Sequence, residues 1–329
     1  MKIFLTGGSG FIGSRLTERL INEDHGVTLL LRDPGKDLWF DRNKVRIVTG
    51  DIFDTGILAK EMKGCEVVFH LAAYTKPWSK DPELPYRVNV TGTINVLSAA
   101  IEAGVKRVVM TSSCGTFGYS YNGSVVNELT VPENPLCTVY ERTKAEAEQK
   151  ALGFCSRGID VIIVNPSRLY GPGVLTSGNS LTRIIRGYVR GTWRIIPGKG
   201  TAVGNYVFID DVVDGHIKAA IRGVTGEKYI LGGENLSFSA LFKIIGEESG
   251  RKRRMIRFPL AAIRDIIRLI RLGSRFLGIS PPITEEWIDK YMKDTVISSD
   301  KAVSVLGYKI TPFRQGVRKT VEWLMTNHR

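Results

Sequence analysis

Tyr140 and Lys144 stand four residues apart in Thr138-Val139-Tyr140-Glu141-Arg142-Thr143-Lys144. On a helix this spacing puts the phenol and the ammonium group on one face. A neighbouring cation favours the phenolate, which predicts a Tyr140 pKa lowered toward neutrality. A phenol tuned in this way can exchange a proton with an alcohol or a ketone. Taken alone, the pair also describes any exposed tyrosine and lysine on a helix. Ser113, in Thr111-Ser112-Ser113, tilts the balance, because it follows the apolar run Arg107-Val108-Val109-Met110. Ligands of open α/β sheets bind at that end of the strands.

These residues need a sheet to hold them, and the chain supplies one. Short apolar runs at Lys2-Ile3-Phe4-Leu5, Val27-Thr28-Leu29-Leu30-Leu31, Val45-Arg46-Ile47-Val48, Glu66-Val67-Val68-Phe69, Arg107-Val108-Val109-Met110 and Val161-Ile162-Ile163-Val164 read as buried strands. Helix-like stretches separate them, including 11–21 and 89–103. The alternation predicts an α/β fold, a doubly wound parallel sheet with helices on both faces. Between the first strand and the first helix lies Thr6-Gly7-Gly8-Ser9-Gly10-Phe11-Ile12-Gly13. Gly7 permits the tight turn, Gly10 lets backbone approach a pyrophosphate, and Gly13 lets helix and strand pack closely. The helix N-terminus then presents unpaired N–H groups to the phosphates of a dinucleotide.

The end of the second strand bears on which dinucleotide. NAD calls for an acid there, to hold the ribose 2′-hydroxyl. This chain has Arg32 in Leu31-Arg32-Asp33-Pro34-Gly35-Lys36, and a guanidinium suits a 2′-phosphate. NADP is therefore favoured over NAD, with Asp33 keeping the second cofactor open. Asp51 and Ile52 follow the third strand, where an acid can accept a bond from the adenine amine.

The chain has 329 residues, 43% of them hydrophobic, and a formal net charge of +13. That length allows one large domain or two fused lobes. Strand-like residues from Lys2 onward leave no room for a targeting peptide, and no apolar run approaches the roughly 18 residues of a membrane span. Cys65, Cys114, Cys137 and Cys155 show no metal-ligand spacing. A reduced cytoplasmic location and no metal are the expectation. The basic cluster Arg251-Lys252-Arg253-Arg254 is not interleaved with aromatics, so specific nucleic-acid binding is not expected.

Together these motifs resemble the extended short-chain dehydrogenase/reductase family, of the NAD-dependent epimerase/dehydratase type. The resemblance rests on the glycine turn, Gly50-Asp51, His70-Leu71-Ala72-Ala73, Asn89-Val90-Thr91-Gly92-Thr93, Thr111-Ser112-Ser113, Tyr140 with Lys144, Asn165-Pro166, Tyr170-Gly171-Pro172-Gly173 and Phe208-Ile209-Asp210-Asp211-Val212. It implies a Rossmann domain over 1–165, with 205–222 returning to it. A smaller C-terminal α/β substrate lobe takes up most of 166–329. It implies Tyr140 as acid/base, Lys144 as the residue that tunes it and holds the nicotinamide ribose, Ser113 as the hydroxyl on the substrate oxygen, and Asn89 in support. It also implies cofactor contacts from Thr6, Gly7, Gly10, Phe11, Ile12, Gly13, Leu71, Ala72, Ala73 and Pro166. Homodimers built on 89–103 and 140–154 are common in similar proteins.

Within the family, dehydratases carry an Asp-Glu pair where this chain has Cys114-Gly115. Nucleotide-sugar epimerases place an arginine just ahead of the segment matching 206–212, and this chain has Val203-Gly204-Asn205 there. Arg183, Arg186 or Arg190 could substitute. Thr111-Ser112-Ser113-Cys114-Gly115-Thr116, Leu31-Arg32-Asp33-Pro34 and Tyr229-Ile230-Leu231-Gly232-Gly233 are similar to the dihydroflavonol reductase and 3β-hydroxysteroid dehydrogenase branch. That branch implies ketone–alcohol interconversion on a hydrophobic substrate, with a sugar-like one as the other option. Tyr74, Trp78, Phe117 and Asn165 are candidate pocket residues. An epimerase with tightly held NAD and a non-catalytic NADP-binding sensor or scaffold are the rival readings.

The region 260–279 is apolar and arginine-studded. Arg264, Arg268, Arg271 and Arg275 fall on one helical stripe, with Ile263, Ile266, Ile267 and Ile270 around the other side. A lobe helix with its apolar side on the core and its arginines in water is the favoured reading, with Gly273 as a break. Peripheral contact with an anionic membrane, arginines among the headgroups, is the alternative.

Overall fold

A computed structural model describes residues 1–35, 38–176, 179–277, 281 and 283–327, with side chains 274–277 outside that description. Lys36, Ile279 and Pro282 lie outside the described residues.

The first half alternates as expected: β1 (Lys2–Thr6), α1 (Phe11–Asn22), β2 (Gly26–Leu31), β3 (Arg46–Thr49), α2 (Thr55–Met62), β4 (Val67–His70), α3 (Leu84–Tyr86), α4 (Gly92–Glu102), β5 (Arg107–Thr111), α5 (Val139–Leu152) and β6 (Asp160–Pro166). A π turn, Arg87–Thr91, joins α3 to α4. The second half runs β7 (Arg168–Tyr170), α6 (Ser180–Arg190), β8 (Ile195–Pro197), β9 (Val203–Phe208), α7 (Ile209–Arg222), β10 (Lys228–Leu231), β11 (Glu234–Ser237), α8 (Phe238–Ser249), β12 (Ile256–Phe258), α9 (Leu260–Leu277), α10 (Glu285–Met292) and α11 (Phe313–Asn327).

The main sheet has seven strands in the order β10-β6-β5-β4-β1-β2-β3, and every pairing is parallel. Its strands are apolar throughout because both faces are covered. Alternate residues go to opposite layers: Ile3 and Leu5 join the layer with α1 and α7, and Phe4 joins the layer with α2, α4 and α5. The series does not close at Val164. Lys228–Leu231 adds a seventh strand, pairing Tyr229 with Val164. The return to the sheet also reaches further than 205–222, since Ala302, Leu306 and Tyr308 are buried in the same layer as Val212 and Ile217.

The other lobe has a separate aromatic core. Tyr170, Tyr206, Phe208 and Phe313 pack with Ile185, Leu241 and Val317. Around it stand a three-stranded sheet, β11-β9-β7, and the pair β12-β8.

Helix α9 covers only part of the apolar side expected to pack on the core. Ile267 is buried, but Leu269 is 69% exposed, Leu272 55% and Ile266 46%. Arg268 and Arg271 stay about 60% exposed, as expected, while reaching acids of α10. Arg264 pairs with Asp289 at 2.7 Å and Arg268 with Glu285 at 3.2 Å, and Arg271 lies 3.8 Å from Glu285. Periodicity gives a helix two faces but does not say which one points inward. Here Ile267 marks the buried side, and the ion pairs to α10 flank it. Gly273 lies within α9 rather than ending it.

Candidate active site

The turn after β1 is built around its glycines. Gly7 has φ +77°, and a Cβ there would lie 2.6 Å from the backbone of Leu71 and Ala72. A Cβ on Gly13 would strike the Gly7 carbonyl. Gly10 caps α1 without a side-chain hydrogen bond. Thr6 ties this turn to β4. Its hydroxyl pairs with His70 Nδ1 at 2.8 Å and accepts from the Ala72 N–H at 3.3 Å. His70 is held between Thr6 and Thr93. Burial, then the Lys144 charge, pushes its pKa down to about 3, so it stays neutral.

A cleft of about 840 Å³ runs along the C-terminal edge of the sheet. It brings together Thr6, Gly7, Gly10, Phe11, Ile12, Gly13, Arg32, Asp51, Ile52, Leu71, Ala72, Ala73, Ser113, Tyr140, Lys144 and Pro166. Residues remote in sequence meet here because the parallel strands all end on one edge. Arg32 is 79% exposed, 4.0 Å from Asp51. Asp33 does not line the cleft, and its carboxylate accepts from the Gly35 N–H at 2.9 Å.

Five expected residues are elsewhere. Asn89 is buried in the π turn, where it donates to Thr143 at 2.9 Å and accepts from the Tyr74 N–H at 2.7 Å. It fastens the 74–78 segment to α5 instead of touching the cleft. The Tyr74 hydroxyl donates to the Trp78 carbonyl, so that segment folds back on itself and neither ring lines the cleft. Phe117 is packed with Val126, Ile230 and Ile297. Asn165 is fully buried behind Ser113, donating to the Ser113 carbonyl at 3.1 Å and to Glu148 at 2.6 Å.

The candidate side chains come from two elements. Helix α5 opens with a capping box, Thr138 with Glu141, which satisfies two first-turn N–H groups. It carries Tyr140 at the cleft wall and Lys144 inward. The Lys144 ammonium donates to the Thr111 carbonyl at 2.6 Å. Burial pulls its pKa down to about 8. The expected lowering at Tyr140 does not occur in this environment. Burial favours the neutral phenol and outweighs a hydrogen bond with Ser113, so the Tyr140 pKa is raised. Cys114, also on the cleft, is buried and pushed up to about 11, mainly by desolvation. It is no thiolate at neutral pH.

Much of the far wall was missed from the sequence. Trp193, Phe238, Phe242, Trp287, Lys290, Tyr291 and Arg168 line it. Trp287 lies 6.3 Å from the Tyr140 ring. Lys290 pairs with the buried carboxylate of Glu141 at 3.1 Å and stands 5.6 Å from the Tyr140 ring centroid. The available signal was the spacing of Trp287, Lys290 and Tyr291, which puts all three on one face of α10.

A dinucleotide is compatible with these residues. The glycine turn makes room that a Cβ would fill. The hydroxyls of Ser112 and Ser167 are buried on the cleft without a partner among the described residues, and buried polar groups require one. Arg32, Asp51 and the first turn of α1 would hold the adenosine and phosphate parts, with Lys144 and Pro166 at the nicotinamide end. Among the described residues, no group of three His, Cys, Asp or Glu could hold a metal ion.

Comparison with known proteins agrees with this geometry. The NAD-dependent epimerase/dehydratase family matches residues 3–232. A putative dihydroflavonol 4-reductase of Synechocystis sp. is 32% identical, covering 99% of this chain and 94% of its own. Sterol demethylase protein B of Methylococcus capsulatus is 30% identical over 82% of this chain and 81% of its own. The structure of MoeE5 in complex with UDP-glucuronic acid and NAD superposes with a TM-score of 0.77 at 27% identity, covering 99% of each chain. The chain belongs to the NAD-dependent epimerase/dehydratase family, in its extended short-chain dehydrogenase/reductase branch. It is an enzyme of the oxidoreductase or epimerase kind.

Proposed function

We propose that this chain reduces a ketone to a secondary alcohol on a largely apolar substrate, using NADP. The observation that carries the reading is the meeting of Ser113, Tyr140 and Lys144 in one cleft with the glycine turn. When bound, the nicotinamide supplies the hydride. The substrate oxygen accepts bonds from Ser113 and Tyr140. Tyr140 holds its proton, because burial raises its pKa. It therefore enters as the acid and gives that proton to the substrate oxygen. The Lys144 and Lys290 charges stabilise the phenolate left behind. The aromatic wall of Trp193, Phe238, Phe242 and Trp287 excludes water and favours an apolar body.

NADP is favoured because Arg32 reaches the cleft while Asp33 is occupied in its own turn. A nucleotide-sugar epimerase with tightly held NAD is the alternative. It would copurify with its cofactor and need no external reductant. We also propose that the contact of 260–279 with an anionic membrane runs through the outward apolar stripe of α9.

Tyr140→Phe should retain NADP binding by calorimetry and lose roughly two to four orders of magnitude in turnover of a ketone that the parent reduces. Near-parental turnover would rule out this role for Tyr140.

A further inference from the structure

We propose that Arg168 forms an anion-binding subsite in the cleft, so that the substrate joins a carboxylate or phosphate to its apolar body. The proposal rests on reading the cleft as the place where a substrate carbonyl meets Ser113 and Tyr140.

Arg168 opens β7, opposite Tyr206 of β9. Its guanidinium lies 5.6 Å from the Tyr206 ring centroid and 5.0 Å from that of Tyr291. Ring contacts of this kind engage the flat faces of a guanidinium and leave its N–H fork at the edges. Of five N–H donors, one makes a long 3.4 Å bond to the Tyr206 hydroxyl. No carboxylate among the described residues pairs with it. Arg15 and Arg107, also partly buried, pair with carboxylates, Asp210 at 2.7 Å and Asp160 at 3.1 Å, whereas Arg194 and Arg253 donate to backbone carbonyls. The space around Arg168 is reserved for it, since a Cβ on Gly204 would strike Nη1.

A part-buried cation costs free energy unless an anion accompanies it. Here the bound substrate supplies that anion. A series of ring contacts connects it to the chemistry. Tyr140 is 6.3 Å from Trp287, Trp287 is 5.9 Å from Tyr291, and Tyr291 is 5.0 Å from Arg168. The anionic group would sit at the Arg168 end of these rings, with Leu181, Ile184 and Phe238 lining the same cleft. A flat, apolar linker between ketone and anion suits that path.

The test is calorimetric binding of three aryl ketones to the NADP-loaded protein: 4-acetylbenzoate, 4-acetylphenyl phosphate and methyl 4-acetylbenzoate. Oxidised cofactor prevents turnover, so binding is read directly. The parent should bind at least one anion roughly ten- to hundredfold more tightly than the neutral ester. Whichever anion binds more tightly identifies the group. Arg168→Met should erase the preference, Arg168→Lys should keep part of it, and NADP affinity should be unchanged in both. Equal binding of acids and ester by the parent, a preference surviving in Arg168→Met, or a loss of NADP affinity there would each overturn the subsite. Reduction of the same ketones with NADPH separates the two claims. A preference without any reduction sinks the reductase reading alone, and reduction without a preference sinks the subsite alone.

Discussion

Lys144 is almost wholly removed from solvent, and its pKa falls from 10.5 to about 8 because burial penalises the ammonium form. Between those two values the folded chain has released this proton while the unfolded chain still holds it. Stability contributed by Lys144 therefore rises with pH across that window, is complete above 10.5, and is lost as pH falls through 8. Replacing Lys144 by Met removes the dependence. Relative to the parent, the variant should be more stable at pH 7 than at pH 10.5 by on the order of 3 kcal/mol, read from urea midpoints. A difference between the two proteins that does not change with pH refutes the assignment. Reductive turnover should decline above about pH 8, as the charge that stabilises the Tyr140 phenolate is lost. Arg32 carries the other prediction at this scale. Arg32→Ala should weaken NADP roughly tenfold or more and leave NAD nearly unchanged. Equal losses for both cofactors would mean that Arg32 does not read the 2′-phosphate. The residues of the glycine turn and the Ser113, Tyr140 and Lys144 set were legible because their chemistry is tied to local spacing. The raised pKa of Tyr140 was not, because desolvation depends on what covers a side chain.

Helices α9 and α10 show what periodicity leaves undecided. Arg264 and Arg268 of α9 pair with Asp289 and Glu285, so a membrane contact made through Leu269 and Leu272 would be apolar rather than ionic. Flotation with anionic vesicles should survive high salt in the parent and fail in a Leu269→Glu, Leu272→Glu double variant. Release of the parent by salt alone would contradict contact through the apolar stripe. Helix α10 does the reverse service for the cleft, bringing Trp287, Lys290 and Tyr291 over α5 from nearly 150 positions further along the chain. The sequence marked Tyr74, Trp78 and Phe117 as pocket residues because they follow strand ends. The Tyr74–Trp78 hydrogen bond and the packing of Phe117 turned them away.

At the scale of the whole molecule, the two lobes are not sequential. Residues 302–308 complete the packing of the first sheet, and Val126 bridges to Ile297. A chain ending at Gly233 would keep all of the family-matched segment. It would strip the buried partners of Val212, Ile217 and Val126 and remove the wall that faces Tyr140. Such a truncation should lose its cooperative thermal transition, measured by circular dichroism. A sharp transition close to the parent's would show that 1–233 folds alone. Among the described residues no helix is long and apolar enough to cross a membrane. Sequence by itself determined the parallel α/β sheet, the glycine turn and the placing of Ser113, Tyr140 and Lys144 at one cleft, since each follows from short-range pattern and from the shared edge of parallel strands. Tertiary structure alone decided the seventh strand, the inward face of α9, the aromatic far wall and the setting of Arg168. All four depend on which distant surfaces meet, and on the exclusion of water that follows when they do.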